Sequence, residues 1–303
     1  MDIKSSQPKP LTVAWVATAL IASSIEPLVV KLGFKAQATA YQFLVLKLVL
    51  GGLFIAPIYR QISWIGWIQF RSILLLAVVF VMNYLFIFYS LETITASVLV
   101  TIITTTPAVV AIVNQFRFKE IAGPKFWTGF LLCFFGVMMT IDLFGSRANL
   151  DPFGVMLAFL SVGTSSLYRT RMDLVTREVK PITISAYIFM INAFIGLCFF
   201  PWIGEVDSYT WQLAAWIGFA GAIANIAFIS ALKLIGSTRL SIMTVLQRPL
   251  VIVLAALLLK EPLSYFQMCG IALVLIGVQL AKISPKSAVK VIVPDPVLAV
   301  QKF

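Results

Sequence analysis

The sequence predicts an all-α membrane protein of ten transmembrane helices, arranged as two inverted five-helix repeats with both termini cytoplasmic. Three observations carry that expectation. Of the 303 residues, 60% are hydrophobic and only 12% charged, whereas a soluble domain has about a quarter of its residues charged. Apolar runs of the length needed to cross hydrocarbon, about 20 residues, follow one another along almost the whole chain. Finally, the second half echoes the first at a nearly constant offset.

Residues 1–10 are polar, carry Lys4 and Lys9, and read as a cytoplasmic tail. The run at 11–32 is too long for a signal-peptide core and has no clear small-residue cleavage site, so it reads as a retained first span. Further runs fall at 40–58, 72–91, 94–115, 126–143, 152–168, 182–203, 211–232, 239–259 and 264–281. No water satisfies backbone groups inside a bilayer, so each run must be a helix or part of a closed barrel. These runs are too long and continuous for barrel strands. The tail at 284–303 contains Pro285, Pro294 and Pro296 and is expected to be disordered. With the N-terminus inside, the inner segments collect 17 Lys and Arg and the outer ones only Lys31, Lys35, Arg147 and Lys260, with Lys47 and Arg248 left within spans. That bias orients the chain.

The same composition excludes several functions. There is no histidine, which removes His-built zinc sites, Ser-His-Asp triads and imidazole relays. Cys133, Cys198 and Cys269 have no pairing or metal-ligand spacing and read as packing residues. The acidic residues are scattered and mostly outward, so neither a metal site nor a membrane-embedded enzyme is expected. The net charge of +11 records orientation in a bilayer rather than nucleic-acid binding. Charged rings and filter-like loops are absent, which disfavours a channel. No Walker A sequence is present, which argues against built-in ATP hydrolysis.

The repeat is read residue by residue. Asn83 matches Asn225, Phe86 matches Phe228 and Pro107 matches Pro249; after a one-residue slip, Lys119-Glu120 matches Lys260-Glu261, Gly129 matches Gly270, and Gly136-Val137 matches Gly277-Val278. The first repeat takes 11–145 and the second 146–283. Five spans per repeat is an odd number, so the copies must cross in opposite senses. Inverted repeats are a signature of secondary transporters, with the substrate site near the midplane where the repeats meet.

A proline in the fourth span, a Lys-Glu about a dozen residues later and a Gly-rich fifth span, all repeated in the second half, resemble the drug/metabolite transporter superfamily. Within it they resemble the EamA-type family of two five-helix repeats. The resemblance implies a secondary transporter, and export rather than uptake. Many relatives carry Arg in the second span, where this chain has Lys47 at the end of Gln42-Phe43-Leu44-Val45-Leu46-Lys47. Arg grips a carboxylate through a planar fork, whereas Lys is a point charge.

Charges within a span are costly and face a cavity or a partner; Glu26, Lys47 and Arg248 are the candidates. At 1.5 Å per residue, Glu26 and Lys47 both fall about 10 Å below the outer surface. Either they form a structural bridge, or Lys47 snorkels outward, or Glu26 carries a coupling proton or binds a substrate amine in competition with Lys47. Pro27 frees a backbone carbonyl one turn earlier, that of Ala22 or Ser23. Thr104-Thr105-Thr106-Pro107 and Val245-Leu246-Gln247-Arg248-Pro249 are repeat-equivalent and near the midplane, with the carbonyls of Ile103 and Val245 exposed. They are either packing kinks satisfied by Thr hydroxyls or the broken helices of a binding site. A midplane Arg248 needs an anion, so Arg248, Gln247, Thr106 and Lys47 are assigned to the substrate. Asn83 and Asn225 either bond between helices or touch substrate. Glu120 and Glu261 read as junction residues, and Gly129, Gly136, Gly270 and Gly277 as close-packing positions.

The sequence thus implies a monomeric, multi-pass transporter of a bacterial cytoplasmic (inner) membrane that uses no cofactor or metal. It would move a small polar or amphipathic metabolite, such as an amino acid, by alternating access, with Glu26 as the expected proton carrier. The alternative is a proton-coupled cationic multidrug exporter centred on Glu26, against which Lys47 and Arg248 act by repulsion. In a background lacking the three native cysteines, Lys180→Cys should react with a membrane-impermeant maleimide only from the cytoplasmic side. Glu205→Cys should react only from the outside, and the reverse pattern would invert the topology.

Overall fold

The computed structural model describes residues 10–94, 99, 102–118, 122–140, 151–250 and 265–282. The Lys119-Glu120 and Lys260-Glu261 junctions and most of both tails lie outside the described residues. Every regular element among the described residues is helical: α1 (Pro10–Lys35), α2 (Ala40–Ile55), α3 (Trp67–Thr93), α4 (Thr106–Phe118), α5 (Pro124–Thr140), α6 (Pro152–Glu178), α7 (Pro181–Phe199), α8 (Ser208–Ile235), the short α9 (Ser237–Met243) and α10 (Tyr265–Lys282).

The helix starts follow local chemistry. Helices α1, α5, α6 and α7 open on a proline, whose missing N–H is no loss in the first turn. Thr39 caps α2 in a reciprocal box with Gln42. Asp151 accepts the Gly154 amide ahead of α6. Asp207 accepts the amides of Thr210 and Tyr209 ahead of α8, and hydrogen bonding to Thr210, through its side chain first and its amide after it, holds the carboxyl below the usual carboxylate range. Gly236, at φ 78°, makes the turn from α8 to α9, a conformation that costs glycine little.

Four segments among the described residues are long and apolar enough to cross a bilayer: Ala40–Arg60, Trp67–Thr93, Pro181–Trp202 and Ser208–Ile235. Helices α1, α4, α5 and α10 supply shorter apolar stretches. Phe135, Phe194, Trp216 and Ile276 are exposed, whereas Lys47, Asn114, Asn192 and Ser241 are buried. An apolar exterior with charged and amide side chains turned inward among apolar ones is the distribution that lipid imposes. One element differs clearly from expectation. The sixth run, expected at 152–168, continues as helix to Glu178, because no Gly or Pro intervenes and Ser166, Thr170 and Thr176 bond back onto their own helix's carbonyls. Arg169, Arg171 and Asp173 therefore sit on a helix rather than in a loop.

Helix α1 packs along α8, α3 along α6, α2 against both α7 and α8, and α5 along α10. The last pair is antiparallel and very close. A Cβ on Gly129 would lie 2.5 Å from the Gly277 carbonyl oxygen, and one on Gly136 would lie 2.8 Å from that of Gly270. Midway between them, Cys133 Sγ lies 3.6 Å from the carbonyl oxygen of Val274, 141 residues further on. That spacing equals the sequence offset between the halves, so this pairing maps onto itself when the halves are exchanged. Gly129→Leu should force the two backbones apart and destabilise the fold by about 1–3 kcal/mol, read as a lower Tm in detergent. An unchanged Tm would refute this packing.

Candidate functional site

The fourth and ninth spans each break just ahead of a proline. In the fourth, Thr104 and Thr105 form a turn between a helical stub and α4, whose second residue is Pro107. Thr106 Oγ1 donates to the Ile103 carbonyl at 2.6 Å, the group that Pro107 leaves without a helical donor. In the ninth, α9 tightens into a 3-10 turn at Thr244–Leu246 before helix resumes over 247–250, across Pro249. Thr244 Oγ1 donates back to Ser241 O at 2.7 Å. The Thr106 hydroxyl is thus engaged by its own kink.

Gln247, on the ninth span, reaches the first. Its Nε2 donates to the Ser23 carbonyl at 2.7 Å. Ser23 lies four residues before Pro27, so this is the carbonyl that Pro27 cannot serve. An orphan carbonyl away from water costs about 1–3 kcal/mol, and here a side chain from the opposite half satisfies it.

Three residues along α1, Glu26 pairs with Lys47 of α2; Lys47 is 2% exposed and Glu26 13%. Lys47 Nζ also sits 3.2 Å from the centroid of the Tyr84 ring and 5.8 Å from that of Phe88, both on α3. Gly221 of α8 flanks it, since a Cβ there would lie 3.7 Å from Lys47 Cε. The aromatic wall continues through Phe80, whose ring centroid is 4.7 Å from that of Tyr84 and 5.8 Å from that of Tyr168.

Two further cations stand on α6 and on the ninth span. Arg169 of α6 donates through Nη1 to Thr244 Oγ1 at 3.1 Å and to Ser241 Oγ at 3.4 Å, and its guanidinium lies 5.0 Å from the Phe228 centroid. Arg248 stands four residues after Thr244 on the same span, a spacing that brings it toward the side that Arg169 contacts. Among the described residues neither guanidinium has an ion-pair partner.

The asparagines join helices. Asn83 Nδ2 donates to Ser161 O at 2.8 Å and to Thr164 Oγ1 at 3.0 Å. Asn225 Nδ2 donates to the Tyr168 hydroxyl at 3.1 Å, while its Oδ1 has no partner among the described residues. Both thus hold α6, one from α3 and the other from α8.

Sequence reasoning missed Arg169 and Tyr168, because the apolar run stops at 168. The signal available was the four-residue spacing of Ser166 and Thr170, which carries one helical face past the end of the apolar run. It also left Tyr84 unassigned, since a Tyr in a span carries no mark of what lies over its ring.

Two stretches of the chain, residues 10–141 and 152–282, match the model of the EamA-like transporter family. The chain belongs to this family. A Bacillus subtilis (strain 168) protein named uncharacterized transporter YetK is 26% identical over 196 residues, which is 60% of this chain and 58% of that one. The chain thus aligns with a little over half the length of this curated relative. A solved structure described only as the crystal structure of a protein superposes with a TM-score of 0.73 at 16% identity, covering 89% of this chain and 96% of the other, and shows the shared fold. The EamA-like protein is a multi-pass membrane protein of a transporter family.

The buried pair sets a test of the site's energetics. Lys47→Met alone strands the Glu26 carboxylate and should cost about 3–5 kcal/mol, whereas Lys47→Met with Glu26→Gln should cost clearly less. Thermal unfolding of the three proteins in detergent reads the difference, and additive losses would mean that the pair is uncoupled.

Proposed function

We propose that this EamA-like protein is a secondary exporter of a small polar or amphipathic metabolite that carries an anionic group, such as an amino acid. Its ten spans form two inverted repeats, 11–145 and 146–283, that rock around a midplane site between them. The observation that carries the reading is the pair of guanidiniums, Arg169 and Arg248, with no ion-pair partner among the described residues. Two like charges held in low dielectric await an anion. Arg248 and Arg169 would take the anionic end of the substrate, with Gln247, Asn225 and Lys47 nearby and Asn83 and Thr106 holding the helices that shape the site. Breaks ahead of Pro107 and Pro249, in repeat-equivalent spans, support the same placement.

Glu26 is the proposed proton carrier. Its partner Lys47 lets the carboxylate stay charged inside the span, and protonation would release that partner. The setting is a bacterial inner membrane, with the monomer as the working unit.

The test is counterflow in liposomes loaded from pools of amino acids, nucleosides and organic anions. Arg248→Ala and Arg169→Ala should each abolish the flux of an anionic or zwitterionic substrate that the wild type moves, and intact flux in both variants would sink the anion-site reading. Glu26→Gln should make the flux indifferent to an imposed pH gradient. A variant that still follows the gradient would remove Glu26 from coupling.

A further inference from the structure

The turn from α8 to α9 is gripped by a side chain from the other half of the chain. Asn114 of α4 is 1% exposed, and its Nδ2 donates to Ser237 Oγ and to Thr238 Oγ1, both at 2.8 Å. Ser237 Oγ also faces a carboxylate oxygen of Asp173, on α6, at the longer distance of 3.4 Å. The first residues of α9 thus tie a helix of the first repeat to the second. Ser237, Ser241 and Thr244 follow one another at four and three residues, spacings that keep them on one helical face. Arg169 holds the far end of that face through Thr244. Arg177 and Lys180 stand at the close of α6, and Lys233 and Arg239 flank the turn, so the gripped end is the cytoplasmic one by the inside-positive rule.

We propose that Asn114, Ser237 and Thr238 are the cytoplasmic latch of the transport cycle, and that the structure is the state closed at that end. The inference rests on the alternating-access reading above and names what holds one of its two states. Three features suit a contact made to release. It is built of hydrogen bonds between neutral groups, each a small net contribution. Asn114 Oδ1 is buried with no partner among the described residues, so closure carries a cost that offsets part of its gain. Gly236, at φ 78°, immediately precedes the gripped residues, and a Cβ there would meet nothing within 4 Å. That glycine therefore serves backbone conformation rather than packing, and gives the turn a pivot. An anion that drew Arg169 from Thr244 would remove the inner of the two holds on α9 and leave the latch as the outer one.

The experiment reads the distance across the latch with nitroxide labels at Phe116→Cys and Arg239→Cys, both exposed positions, in nanodiscs and without the three native cysteines. The parent should show one dominant distance. Asn114→Leu, which keeps the bulk and removes the donor, should add a longer distance and raise the ratio of open to closed populations about tenfold. Ser237→Ala with Thr238→Val removes the two acceptors instead and should do the same. Ser90→Ala, which removes a bond to the Gly154 carbonyl at the opposite end of the bundle, should leave the distance as in the parent. Unchanged distances in both latch variants overturn the latch. So does a broadened distribution with no second distance, the mark of a merely structural contact, or an equal shift in Ser90→Ala. No substrate is needed, so the outcome is separate from that of the anion site. A second distance beside intact flux in Arg248→Ala and Arg169→Ala keeps the latch and sinks that site, whereas lost flux beside unchanged distances does the reverse.

Discussion

A backbone carbonyl inside a bilayer has no water to fall back on, and the interior of this protein is organised around that constraint. Each proline placed within a span creates such a carbonyl. Pro107 frees the carbonyl of Ile103, which the Thr106 hydroxyl of the same kink satisfies. Pro27 frees that of Ser23, which is satisfied from the opposite half of the chain by Gln247. The first solution is local and can persist through any rearrangement of the helices. The second joins two helices far apart in the chain, so relief of that carbonyl depends on their contact.

The charges obey the same rule at a larger scale. Lys47 is almost wholly buried, held by an ion pair and a ring face, and Gly221 leaves room for its stem. The two guanidiniums are treated differently. Arg169 is held by hydroxyls of the ninth span, and Arg248, four residues after Thr244 on that span, has no ion-pair partner among the described residues. An ion pair and two guanidiniums with no ion-pair partner among the described residues thus occupy one interior.

The scaffold that holds these groups is itself bound by close approach. Helices α5 and α10 touch through glycines at both ends of their contact and through Cys133 and Val274 between them. Neither helix contributes a charged side chain to the candidate site, and their packing leaves the spans that do contribute free of that role.

The membrane character, the helical class and the positions of the apolar runs were legible in the sequence, because hydrocarbon demands about 20 apolar residues per crossing whatever the tertiary arrangement. The family was legible too, since the repeated Pro and Gly pattern is a local property of the chain, and so was the depth match of Glu26 and Lys47, which follows from residue counting along adjacent spans. The extension of α6 past 168 was hidden, because polar residues that face a protein interior end an apolar run without ending a helix. What only the tertiary structure decided was which donor meets which acceptor: Gln247 on Ser23, Arg169 on Thr244, Tyr84 beneath Lys47. Those contacts join residues far apart in the chain, and no spacing along it records the direction in which a side chain leaves its helix.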